Sequence, residues 1–307
     1  MNQSNSNKAR LRGVLAPVVT PFNPDFGIDY GLFIAHCKAL VADGAGLAVF
    51  GTNSEAASIS PCERMAALEQ LLQAGIPADR LMPGTGCCSI EETVALTSHA
   101  ISLGVRSVLV LPPFFYKEVD QAGLLQYYGT VIDRLGGASV ALYLYNIPQY
   151  TQVPITEGLI DALLQHYPEC IAGLKDSSGD WANTSRMLER FAPQGFDVFC
   201  ASEIFLSQTL ALGGAGCISA TANVNARGIR AVIDGAARDA AAAESAQRSA
   251  TEIRKVFQSR PMISAMKHFL SLRYRQPAWQ TVKPPLSQLK GESKDALIRE
   301  LTEIGFS

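Results

Sequence analysis

No apolar run in the 307 residues approaches the roughly 20 that a membrane-spanning helix needs, so a transmembrane protein is not expected. An excess of either charge is missing too. With 26 basic residues against 28 acidic ones, no global field draws the chain to nucleic acid or to an anionic membrane. The seven cysteines are odd in number and contain no C-x-x-C pair, which speaks against a disulfide framework or a zinc site and for reduced core thiols. Only four histidines occur (His36, His99, His166, His268), three of them in helical stretches on the exterior and none at metal-ligand spacing, so neither metal nor cofactor is expected. The first ten residues, MNQSNSNKAR, lack the apolar segment of a signal peptide and read as the loose tail of a cytoplasmic protein.

What is present is a recurring alternation. Short apolar runs rich in β-branched residues occupy 13–19, 46–50, 81–84, 107–111, 140–145, 171–175, 196–201 and 216–218, with helical segments between most of them. Near-continuous apolarity implies strands covered on both faces. Three helix starts are written out: Asp29 before Tyr30–Asp43, the capping box Ser60-Pro61-Cys62-Glu63, and a second box at Ser89-Ile90-Glu91-Glu92. Eight strand–helix units predict a (β/α)8 TIM barrel over 13–240, after a flexible tail over 1–12. The stretches 236–249, 261–274 and 293–304 predict a C-terminal helical region over 241–307. Its basic residues, Arg254, Lys255, Arg260, Lys267, Arg273 and Arg275, are interleaved with apolar positions and read as a solvated helix face.

Barrel enzymes carry their chemistry at the C-terminal ends of strands. There the chain places Gly51-Thr52-Asn53-Ser54-Glu55, Tyr145-Asn146 and Lys175-Asp176. A lysine where a buried strand meets a loop can act as an amine nucleophile toward a ketone, a phenol can move protons, and successive backbone amides can hold a carboxylate. The glycine-rich stretch Leu212–Gly216 lacks a Walker lysine and does not lead from strand to helix, so it is not read as a phosphate loop. Three aromatics at Phe114, Phe115 and Tyr116 suit a loop that packs locally or docks on another subunit.

The motifs GTNSEA, YNIP and GLKDSSGD, with GTGC from Gly84 and ISATANV from Ile218, resemble the dihydrodipicolinate synthase/N-acetylneuraminate lyase family over about residues 13–306. The resemblance implies a tetrameric barrel, a dimer of dimers, that joins or splits 2-oxo acids such as pyruvate through a lysine Schiff base. Position by position it makes Lys175 the imine-forming residue and Tyr145 the proton relay. Thr52 becomes the hydroxyl on that phenol. Gly51, Thr52 and Asn53 form the carboxylate-binding turn, and Ile218 offers a backbone carbonyl to the substrate.

The chain departs from the family pattern at three points. Asn53 and Ser54 replace the usual Thr-Gly of the turn. Phe115 stands where a neighbouring subunit's relay tyrosine is usual, with Tyr116 beside it. Tyr150 stands where dihydrodipicolinate synthases carry an arginine for the aldehyde's carboxylate, and losing such a charge-assisted bond costs about 1.5–3 kcal/mol. The expected activity is therefore a metal-independent class I aldolase releasing pyruvate from a 4-hydroxy-2-oxo acid. The alternatives are dihydrodipicolinate synthase and a 2-oxo-acid-binding barrel without turnover.

Overall fold

Buried apolar runs become seven parallel strands in the computed structural model, which describes residues 10–307. These are β1 (Gly13–Ala16), β2 (Gly46–Leu47), β3 (Ser107–Val110), β4 (Ala141–Asn146), β5 (Ile171–Asp176), β6 (Asp197–Cys200) and β7 (Gly216–Ile218). They order as β2-β1-β7-β6-β5-β4-β3. The eighth expected strand, over 81–84, is reduced to isolated bridges, Leu47 to Leu81 and Gly84 to Leu109. Pro83 within it has no N–H to give to a ladder. Even so, Met82 N donates to Leu47 O (2.9 Å) and Leu109 N to Pro83 O (2.9 Å), so this segment joins the two edge strands and closes the barrel.

Each of the eight segments sends a side chain inward: Leu15, Ala48, Met82, Leu109, Tyr143, Ala172, Phe199 and Ile218 pack into one buried cluster. That filled interior gives the strand ends a rigid base. A larger cluster fills the layer between sheet and helices, and a third, around Phe257, Phe269 and Trp279, lies beneath the C-terminal helices. At Gly216, with φ +133°, a Cβ would run into the backbone of Gly13 on β1, which gives the glycine-rich stretch a packing role.

Two of the three helix starts form as expected. Asp29 accepts from Leu32 N at the head of Tyr30–Ala42, and the Ser60/Glu63 box is complete at the head of Pro61–Gln73. The box at Ser89 forms only in half: Ser89 accepts from Glu92 N, but the Glu92 side chain accepts nothing from Ser89 N. The helix expected over 236–249 begins later, at Ala240, because Asp239 caps the amides of Ala241 and Ala242 and a separate helix, Ala222–Ala236, precedes it. Met262–Arg273 and Glu292–Glu303 complete the C-terminal helices.

Residues 1–9 of the expected tail lie outside the described residues, and residues 10–12 are held in place. Arg10 donates to Gly195 O (2.8 Å) and Arg12 to the buried Asp197 (2.7 Å), which also accepts from Tyr143 OH (3.0 Å). The basic C-terminal face is also not uniformly solvated. Lys267 is fully buried and paired with Glu55, its amine over the buried Phe22 ring. His36, in the helix Tyr30–Ala42, is buried and bonded to Tyr274 OH (3.0 Å) and Asn223 Oδ1 (3.3 Å). Burial first, with Arg273 adding repulsion, lowers its pKa to about 4 despite the opposing Asn223 bond.

Candidate active site

Strands β4 and β5 end side by side, and their register pairs Tyr145 with Lys175 and Asn146 with Asp176. Lys175 is 2% exposed, and its Nζ lies 4.1 Å from the centroid of the Tyr145 ring. Tyr145 OH is 3.2 Å from Thr52 Oγ1. Burial alone would push the phenol up. The Lys175 charge, followed by hydrogen bonds from Thr52, Lys175 and Ser177, outweighs burial and holds it below its usual value. Amine, phenol and hydroxyl thus lie together, Lys175 and Tyr145 buried and Thr52 half-buried.

The turn that carries Thr52 is bent by unusual backbone. Phe50 (φ 60°) and Glu55 (φ 61°) bracket it in the left-handed region, which costs a non-glycine residue of the order of 1–3 kcal/mol and persists only where surroundings impose it. Here they do. Glu55 is buried against Lys267 and accepts from Lys283 N (2.7 Å), while Ser54 donates to Val18 O and its own carbonyl accepts from Thr20 Oγ1 (2.9 Å). Ser54 is thus spent on the scaffold, and Asn53 is the departure that reaches the cavity. The short 3-10 turn Thr52–Ser54 makes its first internal bonds from Ser54 N and Glu55 N, which leaves the amides of Thr52 and Asn53 ahead of the ladder.

Asp176, next to the lysine, is buried and saturated. Its oxygens accept from Asn146 Nδ2 (2.8 Å), Asn183 Nδ2 (3.1 Å), Thr184 Oγ1 (2.6 Å) and both Ser178 N (3.1 Å) and Oγ (2.9 Å). That network fixes the loop after β5 and takes up the carboxylate beside Lys175.

A cavity of about 340 Å³ opens over these groups and brings together Thr52, Asn53, Tyr145, Lys175 and Ile218. Tyr150 also lines it, 69% exposed. Gly51 does not; its carbonyl accepts from Ser54 N and Ala56 N. Phe115 and Tyr116 are not in the lining either. They are 72% and 74% exposed, with rings stacked edge to face at 5.3 Å. Sequence reasoning missed Ser202, just past β6, and Arg254, on the helix Ala240–Gln258; both line the cavity. The end of β6 could have been searched as the other strand ends were, whereas nothing local marks Arg254 among the surface arginines. Among the described residues no group of three His, Cys, Asp or Glu is placed to hold a metal, and no helix is long and apolar enough to cross a membrane.

A model of the dihydrodipicolinate synthetase family matches residues 10–304. An uncharacterized DapA-like lyase of Chloroflexus aurantiacus is 38% identical over 229 residues, which is 74% of this chain and 75% of that one. The 4-hydroxy-tetrahydrodipicolinate synthase of Desulforamulus reducens is 28% identical over 222 residues, 72% and 73% of the two chains. Among solved structures, YagE, a prophage protein of E. coli K12 in the dihydrodipicolinic acid synthase family, was determined in complex with pyruvate. It matches with a TM-score of 0.88 and 27% identity over 96% of this chain and 99% of its own.

Proposed function

The chain belongs to the dihydrodipicolinate synthetase family, and from that premise we propose that this lyase cleaves a 4-hydroxy-2-oxo acid through a Schiff base on Lys175, releasing pyruvate. The observation that carries the reading is the buried Lys175 amine against Tyr145, itself bonded to Thr52, at the floor of the cavity. YagE, a relative of similar fold, is a pyruvate binder by its own complex.

The chemistry follows from the groups in place. The substrate's C1 carboxylate is held by the amides of Thr52 and Asn53, and Ile218 offers its carbonyl nearby. The Lys175 amine adds to the C2 ketone and water leaves, giving a protonated imine. The Tyr145 phenolate takes the proton of the C4 hydroxyl, the C3–C4 bond breaks, and its electron pair flows into the imine to give an enamine while the aldehyde departs. Protonation at C3 and addition of water then release pyruvate and return the free amine. The lowered phenol pKa suits Tyr145 to the base role.

Tyr150 weighs against the synthase reaction, because a phenol at that position cannot supply the cation that an aldehyde's carboxylate needs. The exposed pair Phe115 and Tyr116 forms an apolar knob that suits docking on a second copy in a dimer-of-dimers tetramer. Phe115 itself can relay no proton. Borohydride reduction in the presence of pyruvate, followed by peptide mass analysis, tests the central claim. A pyruvyl adduct on Lys175 is expected, and its absence sinks the Schiff-base reading. An adduct with no cleavage across a panel of hydroxy-oxo acids would favour a binding barrel instead.

A further inference from the structure

The cavity wall holds a second cation that the Schiff-base chemistry leaves unused. Arg254 lines the cavity with its side chain 12% exposed. Its Nη1 donates to Ser219 Oγ (3.0 Å) and faces Glu203 Oε2 at 3.4 Å, and its Nε donates to Gln258 Oε1 (3.3 Å). Among the described residues Nη2 has no acceptor. The Glu203 contact is long against the roughly 2.7–2.9 Å of a charge-assisted bond. Glu203 is fully buried, and it already accepts from the hydroxyls of Ser219 and Thr221. Two of its three nitrogens are therefore engaged, and Nη2 is left to donate to a ligand.

A second, independent observation lies beside it. Ser202 also lines the cavity, and its Oγ is shut off from solvent without a hydrogen-bond partner. An unsatisfied buried hydroxyl is costly, and a turn about its χ1 bond would bring it to a ligand oxygen in the cavity. Asp176 is the one carboxylate in the lining among the described residues, and its oxygens are taken up by Asn146, Ser178, Asn183 and Thr184. The nearest opposing charge is Glu203, 3.4 Å from Nη1 and outside the cavity lining.

We propose that Arg254 and Ser202 bind a second carboxylate at the far end of the substrate, so that the enzyme selects dicarboxylic over monocarboxylic 2-oxo acids. This rests on the Schiff-base reading, in which Thr52 and Asn53 hold the first carboxylate. The unpartnered Nη2 of the guanidinium can donate to a carboxylate oxygen, and the Ser202 hydroxyl adds a second donor. Arg254 is then a specificity-determining residue that contacts the substrate away from the bond that breaks.

The test compares binding of 2-oxoglutarate and 2-oxopentanoate, which have the same length and differ in the second carboxylate, to the wild type, Arg254→Gln and Ser202→Ala. Wild type is expected to bind 2-oxoglutarate more tightly by about 10- to 150-fold, the ratio set by one charge-assisted bond. Arg254→Gln should bring that ratio near one, and Ser202→Ala should lower it by a smaller factor. Because both ligands are measured on the same protein, loss of folded material cancels in the ratio. A wild-type ratio near one, or a ratio unchanged in Arg254→Gln, overturns the proposal. Pyruvate trapping on wild-type Lys175 keeps the two failures apart. An adduct with an unchanged ratio removes the Arg254 site alone, and no adduct removes the Schiff-base reading and this proposal with it.

Discussion

Two lysines in this protein are equally buried and have different fates. Lys175, at the end of β5, and Lys267, in the helix Met262–Arg273, are both almost without solvent, and each amine lies over an aromatic ring, 4.1 Å from the centroid of Tyr145 and 4.4 Å from that of Phe22. Lys267 is paired with the Glu55 carboxylate and donates to Thr281 O (2.8 Å). Burial pulls its pKa down to about 8 even against the pull of Glu55. Lys175 has no carboxylate within ion-pair distance among the described residues; its polar neighbour is a phenol, and a cavity opens above it. Burial is thus common to both, and the partner separates a structural lysine from a candidate nucleophile. The two are also linked, because Glu55 ends the turn that presents Thr52 to Tyr145.

The sharpest way to break this comparison is to remove each amine. Lys175→Met should abolish both the borohydride-trapped pyruvate adduct and turnover, with little loss of stability, since the lost ammonium left no buried counter-charge behind. A Lys175→Met protein that still forms the adduct, or that melts as early as Lys267→Met, would end the distinction. Next in size, Tyr145→Phe should keep the fold and lower kcat by about 10²- to 10⁴-fold, the usual range for a lost acid–base group; steady-state kinetics on a cleavable hydroxy-oxo acid reads this. Lys267→Met should cost about 3–5 kcal/mol in urea unfolding because Glu55 is left charged and unpaired, and adding Glu55→Gln should recover part of that.

The smallest effect tests how Thr52 tunes the phenol. Its hydrogen bond favours the phenolate and so lowers the Tyr145 pKa. Removing it with Thr52→Val should therefore raise that pKa. Where phenolate is the base, cleavage rises with pH through the Tyr145 pKa, so the ascending limb of the pH–rate profile should move to higher pH. A limb that stays put or moves down would mean that Tyr145 does not set it.

Much of the molecule could be read along the chain. Strand periodicity, the caps at Asp29 and Ser60 and the motifs at strand ends are local, and local sequence records them. The strand over 81–84 was legible as an apolar run, but Pro83 reduces it to bridges. The Ser89 box forms only in half, because Glu92 accepts no bond from Ser89 N. Ser54 reads along the chain as a departure within the carboxylate-binding turn, yet its hydroxyl is spent on the scaffold at Val18 O. The basic C-terminal residues looked alike, because helical spacing shows which residues share a face and not what covers that face.

By itself the sequence determined the alternation of strands and helices, the identity of the lysine, phenol and hydroxyl, and the order in which they follow the strands. Only the tertiary structure decided that Lys175 has no carboxylate in ion-pair reach among the described residues while Lys267 is neutralised by a residue 212 positions away. It alone brought Arg254 and Ser202 to the same cavity wall. Periodicity and caps act within a few residues of the chain, but the environment of a charge is set by whatever packs against it, and barrel closure makes those neighbours distant in sequence.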